Sequence, residues 1–204
     1  MKKVFLIIIF FKSVILFAQD IKISGSIGYG EYDFSSLKKL QTSLIDYYSP
    51  LPIKAVEQFP GYYNYGVSAE FFWENLKAIG VDIQYSSTGG RNHLADYSGE
   101  YKLDMKLESY SFTVFYKQPV YLRGKFNFYV QLQTGLDVTL LNMNEMIQLI
   151  NVEEYNNREN FISKSIFIEP VIGSSYMLSG KFSVSASLGY LFELPTKFHS
   201  KENK

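Results

Sequence analysis

One short polar segment holds the residue types of a hydrolase. His93 is followed by Asp96 and Ser98, and a histidine that takes the proton of an attacking serine is central to such catalysis. Nothing in this spacing fixes a hydrogen bond between the imidazole and a hydroxyl, and the surrounding residues are polar. The segment is therefore expected to be a solvated loop. His199 lies near the C-terminus and is expected to be exposed.

The sequence disfavours three other kinds of chemistry, namely nucleotide-phosphate binding, cysteine chemistry and metal or cofactor binding. The glycines of residues 25–32 follow the order G-x-x-G-x-G, which is not that of a dinucleotide-binding loop, and no buried strand precedes them. The chain contains no cysteine, which excludes disulfides, zinc–thiolate sites and thiol catalysis. No histidine has a metal-ligand spacing from a carboxylate, so neither a metal nor another cofactor is expected.

Acidic and amide side chains recur on the polar side of alternating segments. Buried charges must be paired, so the acids are expected to pair with Lys22 or with another inward cation such as Lys117. A second hypothesis is a constriction that favours cations, and both hypotheses stay open. The candidate polar cluster comprises Lys22, Glu70, Asp82, Gln131, Gln133, Asp137, Glu169 and Glu193.

The segments that would position this cluster alternate between apolar and polar residues. In residues 126–140 the even positions are apolar apart from Thr134, and the odd positions are mostly polar. A period of two is typical of β-strands with two different faces. Seven segments show it: residues 21–32, 63–73, 79–85, 109–116, 126–140, 166–178 and 182–194.

The connections between these segments are alternately short and long. Residues 74–77, 119–125 and 179–181 indicate tight turns, and residues 34–61, 88–101 and 142–161 indicate long polar loops. Consecutive antiparallel strands would then have their turns at one end and their loops at the other. The first long loop is expected to hold one short helix, which Ser35 or Ser36 caps and Pro50 ends. Its apolar face would comprise Leu37, Leu40, Leu44 and Tyr48.

The polar positions indicate which face of the strands lies inside. A soluble barrel is apolar within and usually carries Lys, Arg and Glu outside, whereas a membrane barrel is polar within and apolar toward lipid. Here the polar positions are mostly Ser, Gly, Asn, Gln and Thr. Aromatic residues fall toward the strand ends, as at the two membrane interfaces. The pattern favours an all-β, antiparallel, up-and-down transmembrane β-barrel.

The N-terminal residues have the features of an export signal. Lys2 and Lys3 precede an apolar run, and Ala18 stands before a polar residue. Residues 1–18 are predicted to be a cleaved leader, and residues 19–204 a single barrel domain. Cleavage takes three lysines from a chain with 20 basic and 20 acidic residues, so the mature protein would be mildly acidic. The absence of a basic run argues against nucleic-acid binding.

The leader, the Gly/Ser-alternating strands, the one-sided short turns and the helix in a long first loop form a familiar combination. Together they resemble the eight-stranded outer-membrane β-barrel proteins of Gram-negative bacteria. The resemblance covers residues 19–194 and is one of pattern. It implies a non-enzymatic outer-membrane protein with long extracellular loops and a structural or surface-interaction role. It also implies contact with outer-membrane lipid, lipopolysaccharide and barrel-assembly machinery, and a possible extracellular ligand.

Three alternatives stay open: a narrow cation-favouring pore, a lipid-modifying outer-membrane enzyme and a soluble periplasmic ligand-binding barrel. The strand number raises a further question. Seven strands can be counted, whereas bacterial single-chain outer-membrane barrels have an even number. An imperfectly bonded seam is therefore expected between residues 21–32 and 182–194, with no eighth strand after residue 194.

Overall fold

The structure is a computed structural model that describes residues 20–31, 35–47, 53–73, 76–97, 99–149, 155–180, 182–194 and 196–200. The predicted leader, residues 1–18, lies outside these residues. The described residues form one antiparallel sheet and one helix. The predicted all-β class is therefore confirmed.

The elements follow one another as β1 (Asp20–Gly30), α1 (Ser35–Tyr47), β2 (Lys54–Gln58), β3 (Tyr62–Phe72), β4 (Ala78–Asp96), β5 (Gly99–Arg123), β6 (Phe126–Leu149), β7 (Tyr155–Met177), β8 (Ser183–Gly189), β9 (Phe192–Glu193) and β10 (His199–Ser200). The sheet is curled into a half-barrel. Its main order is β1-β3-β4-β5-β6-β7, and β8, β9 and β10 all pair with β7. Every pairing is antiparallel, so the up-and-down order predicted from the connections is confirmed.

Several strands are much longer than the sequence pattern indicated. β4 runs to Asp96 and β5 begins at Gly99, while β6 runs to Leu149 and β7 begins at Tyr155. The predicted long loops at residues 88–101 and 142–161 are therefore wrong, because both are paired strands for most of their length. Residues 34–61 contain the predicted helix and also β2, which pairs with β4.

These extensions escaped prediction because the side-chain pattern reverses its phase partway along the strands. On the outer face of the second half of β5, Phe112, Val114 and other apolar residues are exposed. The preceding even positions are charged: Lys102, Asp104, Lys106 and Glu108. The alternation continues without a break, but its apolar members move to the other face.

The inner face makes the opposite change at the same level. Leu103, Met105 and Leu107 are buried, and the next inward residues of β5 are Ser109 and Ser111. The sheet therefore has two tiers. The upper tier comprises β2, β10 and residues 87–96, 99–108, 140–149 and 155–162, and its interior is apolar. The lower tier comprises β1, β3, β8, β9 and residues 78–86, 109–123, 126–139 and 163–177, and its interior is polar.

Helix α1 packs inside the upper tier, where Leu37, Leu44 and Ile45 join the apolar core. The predicted helical face is partly wrong, because Leu40 is exposed and Gln41 is buried in its place. Tyr48 lies outside the described residues. Gln41 Nε2 donates to the Asn92 side-chain oxygen at 2.9 Å, and Asn92 Nδ2 donates to the backbone carbonyl oxygen of Gln41 at 3.2 Å. These mutual bonds explain how a polar residue can occupy the core face.

Replacing Gln41 by Leu should destabilise the protein by about 1–3 kcal/mol, because the side-chain oxygen of Asn92, a residue that is 0% exposed, would lose its donor. Denaturant-induced unfolding measures the change. Thr42→Ala is the matched control, since Thr42 is exposed and its hydroxyl bonds only within the helix, to Lys38 O; it should stay within about 0.5 kcal/mol of the parent. Equal losses in the two variants would show that Gln41 does not dock the helix.

The last strand is interrupted opposite Pro170. Tyr190 N donates to the Pro170 carbonyl at 3.2 Å, but proline has no N–H with which to complete the pair. β8 accordingly ends at Gly189, and pairing resumes at β9. The prediction of one uninterrupted strand over residues 182–194 is therefore wrong.

The two edges of the sheet do not meet within the described residues. There β1 pairs with β3 alone, and β8, β9 and β10 pair with β7 alone. β10 continues along β7 opposite Ile162 and Phe161, so in this part of the chain no eighth crossing follows residue 194. The unpaired edges agree with the predicted seam.

Candidate functional site in the lower interior

A layer of hydroxyl groups marks the top of the lower tier. Its members face one another in register on β4 to β7: Ser86, Ser109, Thr139 and Ser163. The layer above it contains Leu107, Leu141 and Phe161. Inward positions recur every second residue, so successive layers are about 7 Å apart along the strands. The interior thus changes from apolar to polar in a single step.

Asp137 lies just below this layer, and its carboxylate accepts hydrogen bonds from two hydroxyls of the layer and from Ser111 at its own level. Ser109 Oγ donates to it at 2.6 Å, Ser111 Oγ at 2.5 Å and Thr139 Oγ1 at 2.6 Å. Asp137 is only 6% exposed. Bonds to charged acceptors are the stronger hydrogen bonds of proteins, so this arrangement holds the four side chains of β5 and β6 in fixed positions.

A cavity of about 260 Å³ opens between α1 and the hydroxyl layer. Leu37, Leu107 and Phe198 give it an apolar upper wall. Asp137 and Glu193 also line it, and Ser165 donates a hydrogen bond to Glu193. Most of its other lining residues carry hydroxyls, among them Ser86, Ser109, Thr139 and Thr196. The cavity therefore combines an acidic, hydroxyl-rich wall with an apolar one.

A chain of amides occupies the middle of the lower interior. Gln131 Nε2 donates to Gln133 Oε1 at 2.8 Å, and Gln133 Nε2 donates to a Glu169 oxygen at 2.5 Å. Asp82 projects inward from β4 and is buried, and its Oδ2 atom has no hydrogen-bond partner among the described residues. Among the described residues, Glu169 is therefore bonded by an amide and not by a cation.

An ion pair lies at the bottom of the interior. Lys117 Nζ is 2.6 Å from Glu70 Oε1, and both residues are buried. The same ammonium lies 4.6 Å from the ring centroid of Tyr129, a distance at which a cation is attracted by an aromatic face. Lys22 lies opposite Glu70 in the β1–β3 register. A positive charge is thus concentrated at this end of the interior.

Gly80 provides room for the Phe115 ring next to this ion pair. It lies opposite Glu70 on β3 and Phe115 on β5. A Cβ atom added to Gly80 would overlap the Phe115 ring and lie 2.7 Å from the Ala69 carbonyl oxygen. The aromatic ring therefore covers the strand only because position 80 has no side chain.

Replacing Gly80 by Ala should cost about 1–3 kcal/mol of unfolding free energy, because a crowded interior must shift to accept the methyl group. Gly25→Ala is the matched control, since a Cβ there meets nothing within 4 Å; its effect should stay within about 0.5 kcal/mol. Denaturant-induced unfolding compares the two variants. A loss at Gly25 as large as that at Gly80 would show that the cost at Gly80 does not come from crowding against the Phe115 ring.

The structure brings the predicted polar residues together in three groups. Lys22 and Glu70 lie at the bottom with Lys117; Gln131, Gln133, Glu169 and Asp82 occupy the middle; Asp137 and Glu193 line the cavity. They do not form one continuous hydrogen-bonded network among the described residues. The sequence analysis missed the roles of Ser109, Ser111 and Thr139, although serine at successive odd positions of β5 was a visible signal.

The hydrolase-like segment lies away from this interior. His93 is on the outer face of β4, with Nε2 3.1 Å from Glu100 Oε1, and Ser98 is outside the described residues. The glycines of residues 25–30 lie within β1 and not in a loop. His199 is exposed, as expected. In the described ranges, no three His, Cys, Asp or Glu residues are grouped so that they could hold a metal ion.

The outer face of the upper tier carries a row of ion pairs. Arg91 Nε and Lys102 Nζ lie 2.5 Å and 3.1 Å from the two oxygens of Asp104. Partial burial acts to raise the pKa of Asp104, but the hydrogen bonds from Arg91 and Lys102 outweigh it and hold that pKa below its ordinary value. Lys106 bonds Glu108 at 2.8 Å. This row is an ordinary water-facing surface.

The outer face of the lower tier is apolar and has aromatic pairs at both margins. Near the upper margin, Tyr29 pairs with Tyr63 and Tyr85 with Tyr110, at centroid distances of 5.6 Å and 5.2 Å. Near the short turns, the pairs are Trp73–Tyr116 and Phe126–Tyr176 at 6.1 Å and 4.7 Å. We call the exposed apolar surface between these margins the apolar band.

The fold is therefore that of an all-β protein. Its one antiparallel sheet is curled into a half-barrel around a polar lower interior. A scan against family models found no match, and neither did searches of curated proteins and solved structures. Within the described residues, no helix is both long and apolar enough to cross a membrane.

Proposed function

We propose that this chain is a non-enzymatic outer-membrane β-barrel protein with a structural or surface-interaction role. The observation that carries the proposal is the reversal of both faces at one level of the sheet. Below that level the outer face is apolar and the inner face polar, as in a barrel surrounded by lipid. Above it the outer face is charged and the interior apolar, as in a protein surrounded by water.

The extent of the apolar band supports this proposal. Each strand that contributes to the lower tier exposes apolar residues, for example Ile23, Val67, Ile83, Val114, Leu132, Ile168 and Leu188. A soluble monomer rarely exposes a continuous apolar patch beyond a few hundred Å². Residues 126–138 of β6 would rise about 30 Å at ~3.3 Å per residue and ~40° tilt, which matches the thickness of a hydrocarbon core.

The upper tier is the part that would meet a partner. The resemblance implied long extracellular loops, but most of residues 88–101 and 142–161 are paired strands, and residues 34–61 contain α1 and β2. A surface role would therefore depend on a rigid charged sheet and not on mobile loops. The ion-paired row of Arg91, Asp104 and Lys106 is the part of this surface nearest to the apolar band.

Membrane location is tested by expressing the chain with its leader in a Gram-negative host and separating the fractions. The protein should be found in the outer membrane and should migrate differently on a gel before and after boiling, because a folded barrel resists detergent. Gly135→Leu is the control, since a side chain there would strike the Phe112 carbonyl; it should migrate as unfolded in both samples. Recovery in the soluble periplasm, or an unshifted band, would contradict the proposal.

Direct assays separate the alternative roles. We expect no stable conductance in planar bilayers, because α1 and the apolar core occupy the upper interior; steady cation currents would favour a pore.

Replacing His93 by Ala should leave lipid A unchanged by mass spectrometry, because its described partner is Glu100 and not a hydroxyl. A changed lipid A profile would favour the enzyme.

A further inference from the structure

We propose that the cavity between α1 and the hydroxyl layer binds a small organic cation of the alkylammonium or diammonium type. This inference goes beyond the proposed surface role. It concerns the interior alone and does not depend on the membrane location of the barrel.

The hydrogen bonds at the cavity wall determine which polar sites remain open to a ligand. A hydroxyl group has one hydrogen and two acceptor lone pairs. Ser109 and Thr139 line the cavity, and both donate their hydrogen to Asp137. Ser165 likewise donates its hydrogen to Glu193. What these groups still offer to a ligand are acceptor sites, so a ligand made only of donors fits them best. Ammonium groups are such donors.

The charge of the cavity wall favours a cation. Two carboxylates, Asp137 and Glu193, line the cavity, and no lysine or arginine is among its described lining residues. Lys117, the buried cation of the lower interior, is bonded to Glu70. It also lies about 20 Å below the level of Asp137, three layers further along β5. A buried carboxylate without a counter-ion is costly, so a bound cation would stabilise the site.

The wall opposite the carboxylates is apolar and suits a short alkyl chain. Leu37, Leu107 and Phe198 can contact a short alkyl chain while the charged end faces Asp137. The volume of about 260 Å³ is just below the range of ~300–1,000 Å³ that accommodates drug-sized ligands. An anion would be repelled, and a neutral polyol could donate hydrogen bonds to the two carboxylates but would not compensate their charge. The cavity therefore selects small aliphatic cations.

Calorimetric titration of the refolded chain in non-ionic micelles tests this inference. The probe is 1,4-diaminobutane, and 1,4-butanediol is its neutral analogue of equal length. We expect saturable binding of the diamine, with one site per chain, and none of the diol. Asp137→Asn and Glu193→Gln should each weaken binding about tenfold to a hundredfold, as expected for loss of a charged hydrogen-bond acceptor. Asp104→Asn, which removes an outer carboxylate, should leave the affinity unchanged.

Three results would overturn the inference: no saturable binding up to about 10 mM, roughly ten times a millimolar Kd; equal binding of the diol; or unchanged affinity in both cavity variants. Circular dichroism checks that each variant is folded. Because the titration uses the refolded chain, its result does not depend on the outcome of the membrane assay. If Asp137→Asn fails to fold, Glu193→Gln decides, because Glu193 lies on the two-residue strand β9 at the sheet edge and is exposed.

Discussion

Replacing Lys117 by Met should destabilise the protein by about 3–5 kcal/mol, because it removes the ammonium group that forms an ion pair with the buried carboxylate of Glu70. Glu70 is 5% exposed, and its second oxygen already has no hydrogen-bond partner among the described residues. Met fills a volume similar to that of Lys, so the loss would come from charge and not from packing. Denaturant-induced unfolding of the refolded protein measures it.

A matched control for this change lies on the same strand. Lys106 also bonds a glutamate, at 2.8 Å, but its side chain is 60% exposed. Exposed pairs contribute about 0–1 kcal/mol, so Lys106→Met should have a small effect. The double variant Lys117→Met/Glu70→Gln should recover most of the stability, because no unpaired charge remains. A large loss that persists in the double variant would show that Lys117 acts through packing.

Replacing Leu132 by Arg should destabilise the protein in lipid vesicles by about 2–4 kcal/mol, the cost of a charge near the middle of a bilayer on the lipid face of a barrel. Leu132 is 56% exposed in the absence of lipid and lies beside Tyr116 and Pro170 on the neighbouring strands. If the Leu132 side chain faced water, arginine would be tolerated there with little change in stability. Unfolding in vesicles therefore distinguishes lipid from water at this position.

Gln148→Arg is the control for the lipid-facing change. Gln148 is exposed on the same strand and the same face, but in the charged upper tier. Its replacement should stay within about 0.5 kcal/mol of the parent. If Leu132→Arg is equally harmless, then the apolar band does not face lipid in the folded protein.

Part of the fold could be predicted from the sequence because strand pairing follows local alternation. The lower tier has one apolar face throughout, so residues 109–116 and 126–140 were identified as strands, and their order followed from the short connections. Residues 102–108 alternate just as regularly, from Lys102 to Glu108. The pattern places them in neither the predicted loop of residues 88–101 nor the predicted strand of residues 109–116, because their charged residues occupy positions that are apolar further along β5.

The interior was less predictable because it depends on register between distant strands. The acids could be placed on the polar side from their own strands, as for Asp137. Its three hydroxyl partners depend on β5 and β6 pairing with Ser111 opposite Asp137, which no single segment reveals. The same limit applies to Gln41, whose burial follows from Asn92, 51 residues further along the chain.

The most direct test of the account is a site-directed spin-label scan along the outer face of β5 in lipid vesicles. The chain has no cysteine, so single cysteines at Lys102, Lys106, Phe112 and Val114 each give one label. We predict that labels at Phe112 and Val114 are accessible to oxygen but shielded from a water-soluble nickel chelate, and that labels at Lys102 and Lys106 show the reverse. Equal nickel accessibility at all four positions would contradict a lipid-facing lower tier and would favour a soluble barrel.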